Sequence, residues 1–126
     1  MTAHPWNPQR GEVVLVSFPF IDVGGQAQAK PRPAVVVSGR LIHQTTADVL
    51  IAAISSRPAS QPLPTDYQIV AGSLEAQLAG VRMTCWVKAS NLAAVPTAAV
   101  TRRLGFLSPE GLRQVEQRLR LALELR

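Results

Sequence analysis

Lys30 and Arg32 stand just before one apolar stretch, Ala34 to Ser38, and Ser55, Ser56 and Arg57 stand just after another, Asp48 to Ile54. Runs of this length, rich in Val, Ile and Ala, read as strands buried on both faces. If the two pair antiparallel, the start of one lies beside the end of the other, and Arg32 and Ser55 converge. A guanidinium next to a hydroxyl suits negative charge developing around phosphorus. Its planar fork meets the non-bridging oxygens while the hydroxyl donates one more hydrogen bond. On spacing alone, a strand-end charge between two prolines and an ordinary Ser-Ser turn are the simpler accounts, and the pairing stays open.

Several other chemistries are excluded by residue type and order. No Gly-rich loop precedes a Lys-Ser or Lys-Thr pair, and there is no dinucleotide fingerprint and no Gly-x-Ser-x-Gly elbow. The eight Asp and Glu are scattered singly, so neither a glycosidase pair nor a Mg²⁺ cluster is expected. His4 and His43 lie far apart and Cys85 is the one cysteine, which leaves no metal constellation; no cofactor is expected. His43, near a loop, reads as exposed rather than as a general base. Cys85, flanking Trp86 in an apolar strand, reads as a buried inert thiol. Trp86 itself reads as core. Charge leaves two readings equally open, a polyanionic partner or a cationic surface with no partner: Lys and Arg number 13 against 8 acids, a net +5, and all but Lys30 and Lys88 are Arg.

A chain of 126 residues with 47% hydrophobic and 17% charged residues fits one domain over 1–126, with residues 1–9 as a loose Pro-rich arm. That arm lacks the apolar stretch of a signal peptide, no run is long enough for a membrane span, and a cytoplasmic location is expected. Val13 to Phe18 forms the first strand, which Pro19 is expected to stop. Asp22 to Lys30, with Gly24-Gly25 and two Gln, reads as a flexible loop, and Gly39 to Ala47 as a connection. Thr65 to Val70 and Arg82 to Lys88 are further strands, while Thr97 is a possible N-cap of a short helical piece. The C-terminal segment is the clearest helix: Ser108 caps it, Pro109 opens it, and Leu112, Val115, Leu119, Ala122 and Leu123 share one face. Short strands followed by one amphipathic helix suggest a small curled sheet with the helix packed on it.

At the same residues the chain resembles MazF/PemK-type toxins. Arg10 to Val16 with Phe18-Pro19-Phe20 is similar to their opening strand, and Lys30-Pro31-Arg32-Pro33-Ala34 with Val35 to Ser38 to their basic-Arg-Pro-Ala strand. Val49 to Ser56, Leu63-Pro64-Thr65, Lys88, Asn91-Leu92 and Arg103 to Ser108 follow in the family's order, so the resemblance covers nearly everything after residue 10. It implies a mainly β (α+β) fold, a small SH3-like β-barrel with a C-terminal α-helix. It also implies a homodimeric, metal-independent endoribonuclease that cuts single-stranded RNA at short sequences and is neutralised by a cognate antitoxin. The family's essential Arg falls on Arg32 and its essential Thr on Ser55, where this chain has the smaller hydroxyl. Thr84-Cys85 stands where many relatives carry an acidic residue followed by Ser. The implied reaction is attack of the substrate's 2′-OH on phosphorus, giving a 2′,3′-cyclic phosphate and a 5′-OH end. Gln26, Gln28, Lys30, Ser56 and Arg57 are the expected RNA contacts, because unpaired RNA is read by polar and basic segments. Two other readings share the fold: a gyrase poison, expected to end Trp-Gly-Ile where this chain ends Leu123 to Arg126, and a barrel that binds a ligand or partner without catalysis.

Overall fold

The computed structural model describes residues 7–21, 25, 27–56 and 62–126. Six strands form one antiparallel sheet: β1 (Glu12–Ile21), β2 (Ala27–Val36), β3 (Asp48–Ser55), β4 (Asp66–Ile69), β5 (Cys85–Pro96) and β6 (Val100–Phe106), in the order β4-β5-β3-β2-β1-β6. Helix α1 (Arg40–Thr45) follows β2, α2 (Leu74–Ala79) follows β4, a 3₁₀ turn (Thr97–Ala99) precedes β6, and α3 (Pro109–Leu123) ends the chain. The expected mainly β (α+β) fold, a curled sheet with the C-terminal helix on it, is the one observed. Among the described residues strand hydrogen bonds do not close the barrel; α2, leaving one edge strand, packs on the other.

Both faces of the sheet are apolar, as the continuous Val and Ile runs require. On one face Val13, Val35, Ala52, Ile54, Val87 and Cys85 pack with Ala76 and Ala79 of α2 and Val115 of α3. On the other, Val14, Val16, Ala34, Val36, Val49, Ile51, Val95 and Val100 pack on one another, because the sheet coils around them. The coiling has local causes. β6 bulges twice against β1, and β5 carries three extra residues, Ala89 to Asn91, where Ala52 pairs Leu92 but Ala53 pairs Lys88.

The α2–β6 seam is backbone against backbone. A Cβ on Gly105 would lie 2.1 Å from the Leu78 carbonyl oxygen, and one on Gly80 would lie 2.1 Å from that of Leu104. Glu75 of α2 seats on the start of α3: its carboxylate fills the space over Gly111 and accepts the Ser108 N–H at 3.2 Å. Ser108 caps α3 as expected, accepting from the Gly111 N–H at 2.9 Å, and Pro109 opens the helix.

Proline placement corrects two readings. β1 runs through Pro19 to Ile21, and β2 begins at Ala27, so Ala27 to Lys30 of the expected loop is strand paired with β1, while Asp22 to Gly24 and Gln26 lie outside the described residues. Backbone polarity explains it. Val36 C=O accepts from the Gly11 N–H, so even positions of β2 face β1. Leu15 C=O accepts the Thr101 hydroxyl, so odd positions of β1 face β6, and β6 ends its pairing at Val16. Pro19 is odd; its missing N–H has no partner to lose. Two further differences are smaller. Arg40–Thr45 in the expected connection is helical, and Pro96, not Thr97, precedes the 3₁₀ turn and its added strand β6.

Candidate active site

The same polarity opens a cleft. Odd positions of β2 face β3, as Val37 N–H donating to Leu50 C=O shows. Pro31 and Pro33 therefore present no donor to β3, and the β2–β3 ladder stops at Ala34↔Ala53. Beyond that rung β2 stays with β1 while β3 stays with β5. The fork between them holds a cleft of about 730 Å³ lined by Arg32, Pro33, Ala34, Ala53, Ser55 and Ser56, and by Arg82, Lys88 and Asn91 from the β5 side. Because the strands part, the cleft also reaches Ile54 and Cys85 of the helix-covered face.

Alternation fixes which side chains meet. Arg32, Ala34, Ala53 and Ser55 share the face of Val16 and Ile51, and Ala34, Ala53 and Lys88 form one rung across β2, β3 and β5. Two alanines thus floor the cleft, with Arg32 on one side and Ser55 and Lys88 on the other. Arg32 is exposed and Ser55 half-buried. The expected convergence of Arg32 and Ser55 on one site is found, and Ser56 joins them. Lys30 is exposed two residues up β2 and does not line the cleft. Gln26 and Arg57 lie outside the described residues, and of Gln28 only the backbone, paired with Phe20, is described.

Arg82, Lys88 and Asn91 are missing from the sequence reading as site residues. Lys88 is the best defined. Its ammonium lies 3.1 and 3.2 Å from the two carboxylate oxygens of Asp66, directly across β4–β5, with the Lys88 side chain 23% and that of Asp66 3% exposed. Asp66 also accepts the Leu63 N–H at 3.0 Å, so the turn before β4 holds the carboxylate still. The available signal was a solitary Lys between Val87 and Ala89 in an apolar strand. Asn91 reaches the cleft because the β5 bulge turns it back.

The remaining candidates take structural places. Burial pushes the Cys85 thiol pKa up, so it stays protonated near neutral pH and is a poor nucleophile despite lining the cleft. Thr84 accepts the Ala71 N–H at 2.9 Å. His43 Nε2 lies 2.6 Å from the Ser38 hydroxyl, which accepts the Leu50 N–H, and this ties α1 to β3. Ser38 is six residues from Arg32 along the chain and His43 does not line the cleft. Trp86, expected in the core, is half-buried opposite Ser55. Among the described residues no group of three His, Cys, Asp or Glu could hold a metal ion, and no helix is long and apolar enough to cross a membrane.

The described fold is thus a curled antiparallel sheet capped by a C-terminal helix, with Arg32 and Ser55 lining one cleft at a strand fork. The sequence profile of the PemK-like, MazF-like toxins of type II toxin–antitoxin systems matches residues 9–123, and the chain belongs to that family. Similar folds include an endoribonuclease in complex with its cognate antitoxin from a mycobacterial species, with TM-score 0.65 and 22% identity over 95% of this chain and 96% of that one. The Mycobacterium tuberculosis toxin MazF-mt6 has TM-score 0.69 and 15% identity, with 91% and 98% coverage. MazE–MazF of Deinococcus radiodurans has TM-score 0.69 and 20% identity, with 96% and 99% coverage. Among curated proteins none matches the chain in sequence.

Proposed function

We propose that this toxin is a metal-independent, sequence-specific endoribonuclease that cleaves single-stranded RNA and is held in check by a cognate antitoxin. The observation that supports this reading is the cleft at the β2–β3 fork, where Arg32 and Ser55 line one alanine-floored space. In the proposed reaction the RNA 2′-OH attacks the adjacent phosphorus and gives up its proton to water, the P–O5′ bond breaks, and the leaving 5′-oxygen takes up a proton from water. The products are a 2′,3′-cyclic phosphate and a 5′-OH end. Arg32 stabilises the charge that builds on the non-bridging oxygens, and the Ser55 hydroxyl holds the phosphate in line. The charged side chains among the described lining are Arg32, Arg82 and Lys88, and in this reading they act by charge stabilisation and alignment. Ser56 and Arg82 border the same space and suit the flanking phosphates. Lys30, Gln26, Gln28 and Arg57 belong to the same reading, as contacts on the adjoining segments.

The toxin of the mycobacterial complex is bound to its antitoxin, and this chain's net +5 suits an acidic segment that would occupy the cleft in place of RNA. A homodimer is part of the proposal. Leu50 and Leu92, 39% and 38% exposed, are diagonal neighbours on β3–β5 and suit a partner subunit. The test is incubation of purified protein with a single-stranded RNA in EDTA. Discrete fragments with 5′-OH ends are expected, and none when the ribose at the cut is 2′-deoxy. Intact RNA, or cleavage of the deoxy substrate at the same bond, overturns the mechanism.

A further inference from the structure

We infer that Lys88 is a sequence-reading residue of the cleft, donating to an acceptor on an RNA base edge, and that Asp66 positions it; this rests on the endoribonuclease reading above. An ammonium has three N–H donors. The ammonium faces both oxygens of the Asp66 carboxylate, at 3.1 and 3.2 Å, an arrangement one shared N–H satisfies, and that carboxylate is itself buried and held by Leu63 N–H. The side chain is 23% exposed and lines the cleft, so its other donors are offered there from a nitrogen that Asp66 holds in place. A mobile surface lysine is a point charge that follows phosphate. Lys88 differs on both counts: its charge is compensated by Asp66, and its stem is anchored in β5 with Ala53 and Asp66 on either side. A compensated, oriented donor gains little from a phosphate beyond the hydrogen bond. It loses that bond outright when the facing base edge lacks an acceptor, which is discrimination. Its place on the rung of Ala34 and Ala53, one diagonal step from Ser55, puts the base it reads beside the scissile phosphate.

The test compares wild type with Asp66→Asn, Lys88→Met and the double variant Lys88→Met/Asp66→Asn. The double variant removes the pair as a unit and keeps an acceptor for the Leu63 N–H. Thermal melting checks that each variant is folded. Two readouts are taken: the cleavage motif from mapped 5′-OH ends in random-sequence RNA, and the salt dependence of binding to an RNA 2′-deoxy at the cut. Expected for the double variant is a loss of about tenfold preference at one position next to the cut, the size of one hydrogen bond to a charged donor. Its salt slope should match wild type. Asp66→Asn should blur the same position and steepen the slope by about 0.7, because the lysine charge is released to meet phosphate. A double variant with an unchanged motif, or with a slope shallower by about 0.7, overturns the assignment while leaving the nuclease intact. A wild type that cuts no RNA overturns both.

Discussion

The α2–β6 seam and the β2–β3 fork are both places where the sheet stops being a sheet, and they are built in opposite ways. At the seam, Gly80 and Gly105 bring two backbones so close that no Cβ fits, and Glu75 locks the start of α3 against α2. At the fork, two prolines withhold donors from the ladder and two alanines leave an open floor, over which Arg32, Ser55 and Lys88 are set. Contact at the seam has no slack, so it carries stability. The fork has room and charge but few backbone bonds to lose, so it can carry chemistry. Substitutions in the two regions should therefore separate cleanly, one set acting on the melting temperature and the other on cleavage.

The largest effect is expected at the seam. Gly105→Ala places a methyl 2.1 Å from Leu78 O and 2.6 Å from Ala79 C, so α2 or β6 must move. A loss of about 3 kcal/mol or more is expected. In thermal denaturation this is a fall in Tm on the order of 10 °C. A Tm within a degree or two of wild type would show that the seam is soft and would collapse the contrast. Arg32→Lys tests the other side. The charge stays but the two-pronged geometry goes, so the single-turnover cleavage rate should fall by about a hundredfold or more. Arg32 is an exposed strand residue, so Tm should change little. Cleavage at the wild-type rate would remove Arg32 from the mechanism.

Ser55 should give an intermediate result. Removing one hydrogen-bond donor from a charged centre costs about 1.5–3 kcal/mol, so Ser55→Ala should slow cleavage by about tenfold or more. Ser55→Thr keeps the hydroxyl and narrows its rotamers, and should retain or raise the rate. A Ser55→Thr protein as slow as Ser55→Ala would mean that the hydroxyl is not what matters there.

How much of this was legible in the sequence depends on whether the signal was local. Helix α3 carries its own cap, opening proline and apolar stripe, and β3 is an unbroken apolar run; both lie where their residues say. The juxtaposition of Arg32 and Ser55 follows from antiparallel pairing alone. The proline-bearing hairpin was not legible, because a missing N–H matters only on the side of the strand that has a partner. Residue type does not reveal that side. The same polarity makes Pro19 harmless and Pro31 and Pro33 cleft-forming. Asn91 and Lys88 were hidden by the β5 bulge, which reverses the facing of everything after it, and by Asp66, which is 22 residues away in sequence. Tertiary register, not composition, assembles that half of the site.

The smallest expected effect sharpens the comparison from the stability side. Glu110 sits in the first turn of α3, accepting from Gln114 Nε2 at 2.9 Å and pairing with Arg113. The Gln114 hydrogen bond, reinforced by Arg113, holds its carboxyl below the usual carboxylate range. A carboxylate whose pKa is depressed by folding stabilises the native state above its unfolded pKa of about 4.3, and that contribution disappears as pH falls through the folded value. Glu110→Gln should therefore lower Tm slightly at pH 7, and the gap between variant and wild type should close below about pH 4. Because the carboxylate is solvent-exposed, salt should shrink the gap as well. Cleavage at pH 7 should be unaffected, since Glu110 does not line the cleft. A gap that persists unchanged at pH 3 would mean that Glu110 acts through shape or capping rather than charge. A changed cleavage rate at pH 7 would mean that the helix-covered end and the fork are coupled, and the two-region division would fail.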